Sequence, residues 1–154
     1  MNITSCTTVV FSPTGTTRNI ARAVAEATGY AIHHVDVTYS EAASLECGRN
    51  ELLIVAAPVY GGQVAPIALQ RMQQLQGDGT PAVVIVLYGN RAYEGALTQL
   101  ADFIASRGFV IVAAGAFVGE RMGDICGRTA VSVVFPNRRS ALAPAGMNDK
   151  TVDK

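Results

Sequence analysis

Apolar and polar positions run along the chain in blocks that switch between two periods. Thr7 to Phe11 is a short run rich in β-branched residues, followed by the turn-forming Ser12-Pro13-Thr14-Gly15. From Thr16 to Thr28, Ile20, Ala21, Val24, Ala25 and Ala27 recur at helical spacing, and Gly29 supplies a stop. Ala31 to Val37 reads as a strand more polar than the others, which predicts an edge position. Residues 38–50 read as a polar connection with at most one helical turn. Leu52 to Ala57 is continuously apolar, as a strand buried on both faces must be. Pro66 opens a predicted helix with Ala68, Met72 and Leu75 on one face and Gly77 at its end. Val83 to Tyr88 is a second doubly buried strand. Leu97, Leu100, Ala101 and Ile104 form an amphipathic stripe closed by Gly108, and Phe109 to Val118 is the last strong strand. Strands alternating with helices, the inner strands apolar throughout, predict an α/β domain with a parallel sheet covered on both faces.

The alternation stops near residue 120. Residues 121–154 hold one strand-like run, Ala130 to Phe135, and a brief helical pattern, Asn137 to Ala143, before Pro144. The expected division is therefore a domain over 1–120 and an atypical tail over 121–154, without the closing helix that such a sheet calls for. A truncated, rearranged or frame-altered C-terminus would account for that. The sheet face left bare would then need the tail or a second subunit over it, which makes a homodimer one expectation.

The chain has 154 residues, enough for one domain with a sizeable core. Hydrophobic residues make up 49% and charged residues 16%, a composition that excludes intrinsic disorder. Twelve basic side chains balance twelve acidic ones, and without a basic cluster nucleic acid is not the expected partner. The balance is uneven: residues 1–120 hold 6 basic and 9 acidic side chains, residues 121–154 hold 6 and 3. Three scattered cysteines, Cys6, Cys47 and Cys126, form no C-x-x-C, so they read as reduced thiols without local metal or redox ligation. No apolar stretch approaches the ~20 residues that span a bilayer, and no signal-peptide pattern opens the chain. The expectation is a cytoplasmic protein that does not engage a membrane. Adjacent His33 and His34 fall on opposite faces of a strand and cannot share one metal.

The chemistry concentrates in three loops that follow predicted strands. In Ser12-Pro13-Thr14-Gly15-Thr16-Thr17, hydroxyls precede a helix whose N-terminal N–H groups and dipole favour an anion. Such a loop can hold a phosphate without lysine; the bland alternative is a Ser/Thr-rich turn. The nucleotide patterns G-x-x-x-x-G-K-(S/T) and G-x-G-x-x-G are both absent. Ala57-Pro58-Val59-Tyr60-Gly61-Gly62 and Tyr88-Gly89-Asn90-Arg91-Ala92-Tyr93 each pair an aromatic with glycine. Aromatics stack on flat heterocycles, and glycines let the backbone approach the ring edge. Doubly wound sheets bind ligands beyond the carboxyl ends of their strands. A phosphate cradle beside two Tyr/Gly loops fits a ligand shaped like FMN.

With these residues the sequence resembles the flavodoxin superfamily, whose (S/T)-x-T-G-x-T motif is filled by Ser12, Thr14, Gly15 and Thr17. The stretches VVFSPTGTTRNIA, AAPVYGGQVAP and LYGNRAYEGAL look like the flavodoxin-type domain of bacterial and archaeal proteins that join it to a two-cluster ferredoxin domain. The resemblance implies a flavodoxin-like doubly wound sheet of five parallel strands in the order 2-1-3-4-5, with FMN as cofactor. It further implies that Ser12, Thr14, Gly15, Thr16 and Thr17 bind the phosphate. Pro58, Val59, Tyr60, Gly61 and Gly62 would line the isoalloxazine and its N5 edge, where a flip of the Gly61-Gly62 peptide is sterically easy. Gly89, Asn90 and Tyr93 would lie along the pyrimidine side or the opposite ring face. The implied function is electron carriage between redox partners, such as a ferredoxin or a reductase, or a small flavin oxidoreductase activity.

Two departures weigh against a simple transfer. The clustered cysteines of the ferredoxin part do not appear in these 154 residues, so internal electron transfer to iron–sulfur clusters is not expected of them. The similarity also ends near Gly119-Glu120. The competing reading is a non-catalytic ligand-binding or regulatory module, or a relic that no longer holds FMN. A receiver domain would need acidic residues where Phe11-Ser12 stand, and a low-molecular-weight phosphatase would need C-x5-R in its first loop.

Overall fold

The most apolar runs of the chain form the middle of one sheet. A computed structural model describes residues 2–40, 44–89, 94–118, 132–134 and 143–144. Its elements in chain order are β1 (Ser5–Val10), α1 (Thr16–Thr28), β2 (Ala31–Asp36), β3 (Leu45–Cys47), β4 (Glu51–Tyr60), β5 (Gln63–Val64), α2 (Pro66–Arg71), β6 (Leu75–Gly77), β7 (Thr80–Tyr88), α3 (Glu94–Ala105), β8 (Phe109–Val118), β9 (Ser132–Val134) and β10 (Ala143–Pro144). Strands β2, β1, β4, β7 and β8 lie side by side and all parallel, the doubly wound order 2-1-3-4-5 when the five principal strands are counted in sequence.

Alternation along each strand builds two cores. Val9, Val55, Val84 and Ala116 face one side with Ala68, Met72, Leu97, Leu100 and Ile104 from the α2 and α3 region. Cys6, Val10, Ile54, Ala56 and Ile85 face the other with Ala21 and Ala25 of α1. Because β4 and β7 are covered on both sides, no polar alternation is needed along them. The more polar β2 sits at the sheet edge, where His34 Nδ1 shares a hydrogen bond of 2.7 Å with Thr8 Oγ1.

Three expectations are corrected. The helix from Pro66 ends at Arg71, not Gly77; Met72 and Leu75 are fully buried, but Leu75 lies in β6. Burial at Ala68, Met72 and Leu75 mimics a helical period while the chain in fact tightens and turns, Leu75 N donating to Met72 O at 3.1 Å. The connection over 38–50 carries, among its described residues, a strand, β3, which pairs in parallel with β6 as a separate two-stranded sheet. Beyond β8, the strand-like run at Ala130–Phe135 contains β9, which pairs antiparallel with β8, and Ala143 lies in β10 paired on β9, not in a helix. The rest of the Asn137–Ala143 pattern lies outside the described residues.

Candidate functional site

β1, β4 and β7 are adjacent and parallel, with Val10 beside Ala56 and Pro58 beside Leu87, so the chain leaves all three strands at one edge of the sheet. That edge brings together Ser12, Thr14, Gly15, Thr16 and Thr17 after β1, Pro58, Val59, Tyr60, Gly61 and Gly62 around the end of β4, and Gly89 after β7. Asn90 and Tyr93 of the third loop lie outside the described residues, as do Arg91 and Cys126.

The loop after β1 is built on Ser12, which is buried. Its N–H donates to Thr38 Oγ1 at 2.9 Å, its carbonyl accepts from Gly15 N at 3.3 Å, and its hydroxyl oxygen accepts from Arg18 N at 3.0 Å. Gly15 takes φ +84° as the N-cap of α1 and provides no side-chain cap. The first-turn N–H groups of Thr16 and Thr17 have no intrahelical acceptor, a general property of helix starts. No acidic residue sits in that turn to oppose the helix dipole, which favours an anion there. Thr17 is buried, whereas the Thr14 hydroxyl donates at the surface to Thr16 Oγ1 at 3.4 Å. The Arg18 guanidinium lies 3.4 Å from the point where a Cβ on Gly15 would stand, and pairs with Asp36 Oδ2 at 3.9 Å. Hydroxyls, helix-start amides and one nearby cation make this donor set fit a phosphate monoester.

The second segment is a hairpin where the sequence reads as an open loop. β4 continues through Pro58, Val59 and Tyr60 and returns through β5, with Tyr60 paired to Gln63 and Val59 to Val64. Gly61 and Gly62 have φ +61° and +81°, both positive, as a two-residue type I′ turn requires. That turn matches the strand twist, so the strand has no reason to stop at Ala57. Gln99 Oε1 of α3 accepts from Val64 N at 3.0 Å, and Ala65 N donates to Pro58 O at 3.1 Å. Tyr60 is 54% exposed at the tip, free to offer its ring to a planar ligand. Gly89 is exposed, with nothing within 4 Å of its Cβ position.

Three contributors escaped the sequence reading. Thr38 and Asp36 brace the first loop, and their signal was the D-x-T spacing at the end of the second strand, an Asx turn in which Asp36 Oδ1 accepts Thr38 N–H at 2.8 Å. Gln99 anchors the hairpin from a helix face that the pattern marked only as amphipathic. The two described thiols are buried and held protonated: burial pushes Cys6 up, and burial followed by the nearby Glu51 pushes Cys47 up to about 12. Among the described residues no group of three or more His, Cys, Asp or Glu could hold a metal ion, and no helix is long and apolar enough to cross a membrane.

A family model described as a flavodoxin domain matches residues 8–121. No curated protein matches the sequence. Among solved structures, one described as a flavoprotein from Bacteroides uniformis shares 14% identity over 79% of this chain and 94% of its own, with a TM-score of 0.56. RosB, solved with bound 8-demethyl-8-formylriboflavin-5′-phosphate, shares 13% identity over 79% and 69%, with a TM-score of 0.54. Rubredoxin:oxygen oxidoreductase from Desulfovibrio gigas shares 15% identity over 79% of this chain and 32% of its own, with a TM-score of 0.51. The chain thus spans about a third of that enzyme's length. At these identities the likeness is one of fold.

Proposed function

The chain belongs to the flavodoxin domain family, and from that premise we propose that it binds FMN and carries electrons between redox partners, or passes them to a small acceptor as a flavin oxidoreductase. One observation carries the reading: a hydroxyl-lined helix start and an exposed-tyrosine Gly-Gly hairpin meet at the carboxyl edge of adjacent parallel strands. Bound there, FMN would supply one- and two-electron chemistry through its ring. The protein's own residues bind and tune. Thr14, Thr16 and Thr17 offer hydroxyl and amide donors to the phosphate, with Ser12 contributing its O–H. Gly15 keeps the backbone low enough for that approach. Tyr60 offers a stacking face, and the Gly61-Gly62 peptide offers backbone N–H and C=O groups to the ring edge. Gly89, Asn90 and Tyr93 would lie along the pyrimidine side or the opposite ring face.

Ferredoxins or reductases in the cytoplasm are the partners this reading favours, since FMN exchanges electrons one or two at a time. Reconstitution decides it. Protein mixed with FMN and desalted should be yellow, with quenched flavin fluorescence and a raised Tm. Colourless protein whose Tm does not respond to FMN rejects the proposal. Steady-state NAD(P)H oxidation with quinone acceptors then separates turnover from carriage.

A further inference from the structure

Ser12 is fixed on three sides, and the group that fixes its amide comes from the far end of β2. Thr38 is buried at 6% exposure, although it follows an edge strand and precedes Tyr39, which is 86% exposed. Its hydroxyl donates to Asp36 Oδ1, and the same carboxylate oxygen accepts the Thr38 N–H at 2.8 Å. With its hydrogen committed to Asp36, the Thr38 oxygen presents a lone pair to Ser12 N–H, which donates to it at 2.9 Å. The carbonyls on either side are held as well: Arg71 Nη1 donates to Val37 O at 3.1 Å and to Thr38 O. The Arg71 guanidinium also stands 5.8 Å from the centre of the Phe11 ring, next in sequence to Ser12. Asp36 Oδ2 faces Arg18 in the first turn of α1.

We propose that Thr38 is a positioning residue for the phosphate site, aligning Ser12 through a hydroxyl whose direction Asp36 sets. This rests on the FMN reading above and deepens it. The bond to Thr38 removes the Ser12 amide from the ligand's reach, and the Arg18 N–H occupies one lone pair of the Ser12 hydroxyl oxygen. What Ser12 can still donate is its O–H. The brace therefore decides which proton Ser12 offers, and it matters for a phosphate monoester and not for the same ring system without phosphate.

The test is a set of fluorescence titrations of the full chain with FMN and with riboflavin, alongside thermal melts without ligand. Thr38→Val keeps the shape and removes the hydroxyl; it should weaken FMN about tenfold and riboflavin less than about twofold. Thr38→Ser restores the hydroxyl and should return FMN affinity to within about threefold of the parent. Should Thr38→Val not fold, Asp36→Ala, which unsets the hydroxyl from a partly exposed position, is expected to show the same FMN-selective loss. Equal losses for both flavins, no loss for either, or failure of the serine variant to rescue overturns the proposal. A parent chain that binds no FMN overturns the functional reading with it; a parent that binds FMN alongside an unaffected Thr38→Val overturns only the role of Thr38.

Discussion

The loop after β1 and the hairpin after β4 sit at the same edge of the sheet, yet they hold their backbones by different means. Around Ser12, side chains do the holding: the Thr38 and Ser12 oxygens accept amide hydrogens, and Asp36 and Arg71 fix Thr38 in turn. Around Gly61-Gly62 the holding is conformational, two consecutive positive φ angles closing a type I′ turn. A loop held by side chains is sensitive to losing a polar atom, and a turn held by glycine is sensitive to gaining a carbon. The first suits a ligand group of fixed charge and shape. The second leaves peptide groups uncovered for a ring edge.

Substitutions can break this contrast, the largest expected effect coming from the charged end. Thr17→Val, which leaves a buried position filled but removes its hydroxyl, should lower FMN affinity by about 1.5–3 kcal/mol and leave riboflavin nearly unchanged. Thr14→Ala should act in the same direction and less strongly, because that hydroxyl is at the surface. Equal effects on both flavins would remove the phosphate from this loop. Gly62→Ala forces a Cβ onto φ +81° and should cost about 1–2 kcal/mol of stability, read as a Tm lower by several degrees in the absence of ligand. A Gly62→Ala protein as stable as the parent would mean the turn is not held by glycine.

Smaller effects sharpen the same distinction. Tyr60→Ala should lose about 0.5–1.5 kcal/mol of binding to FMN and riboflavin alike, since a stacking face acts on the ring they share. A loss confined to FMN would assign Tyr60 to the wrong end of the ligand. Arg18→Gln removes a half-exposed ion pair with Asp36 and should change ligand-free stability by about 0.2–1 kcal/mol, the difference fading as salt is raised. A larger, salt-independent drop in melts at low and high ionic strength would show that Arg18 braces the loop more directly.

The legible parts of this fold were those where one physical cause dominates. α1 lies over Thr16–Thr28 as its period and Gly29 stop predict, and β8 over Phe109–Val118 as its apolar run predicts. β2 is more polar because it is an edge. Where two causes coincide, the pattern misleads. Met72 and Leu75 are buried by a turn and a short strand that happen to keep helical spacing, and three-residue strands such as β3 and β6 are too short to declare a period. The site follows the same rule. Ser12, Gly15 and Tyr60 announce themselves by motif, whereas Thr38 matters only through a contact 26 residues away in sequence, which no local window contains.

The two ends of the main sheet are finished differently. At one end β2 is a full-length parallel strand; at the other, β9 and β10 run antiparallel beyond β8, and the outermost pair sets Pro144 opposite Ser132. A proline has no N–H to donate, so this short outer strand carries one backbone donor fewer. The reversal of direction and the imino acid together make that margin a poor template for sheet growth. Among the described strands β2, which carries His33 and His34, is therefore the more regular margin for chain-to-chain strand pairing.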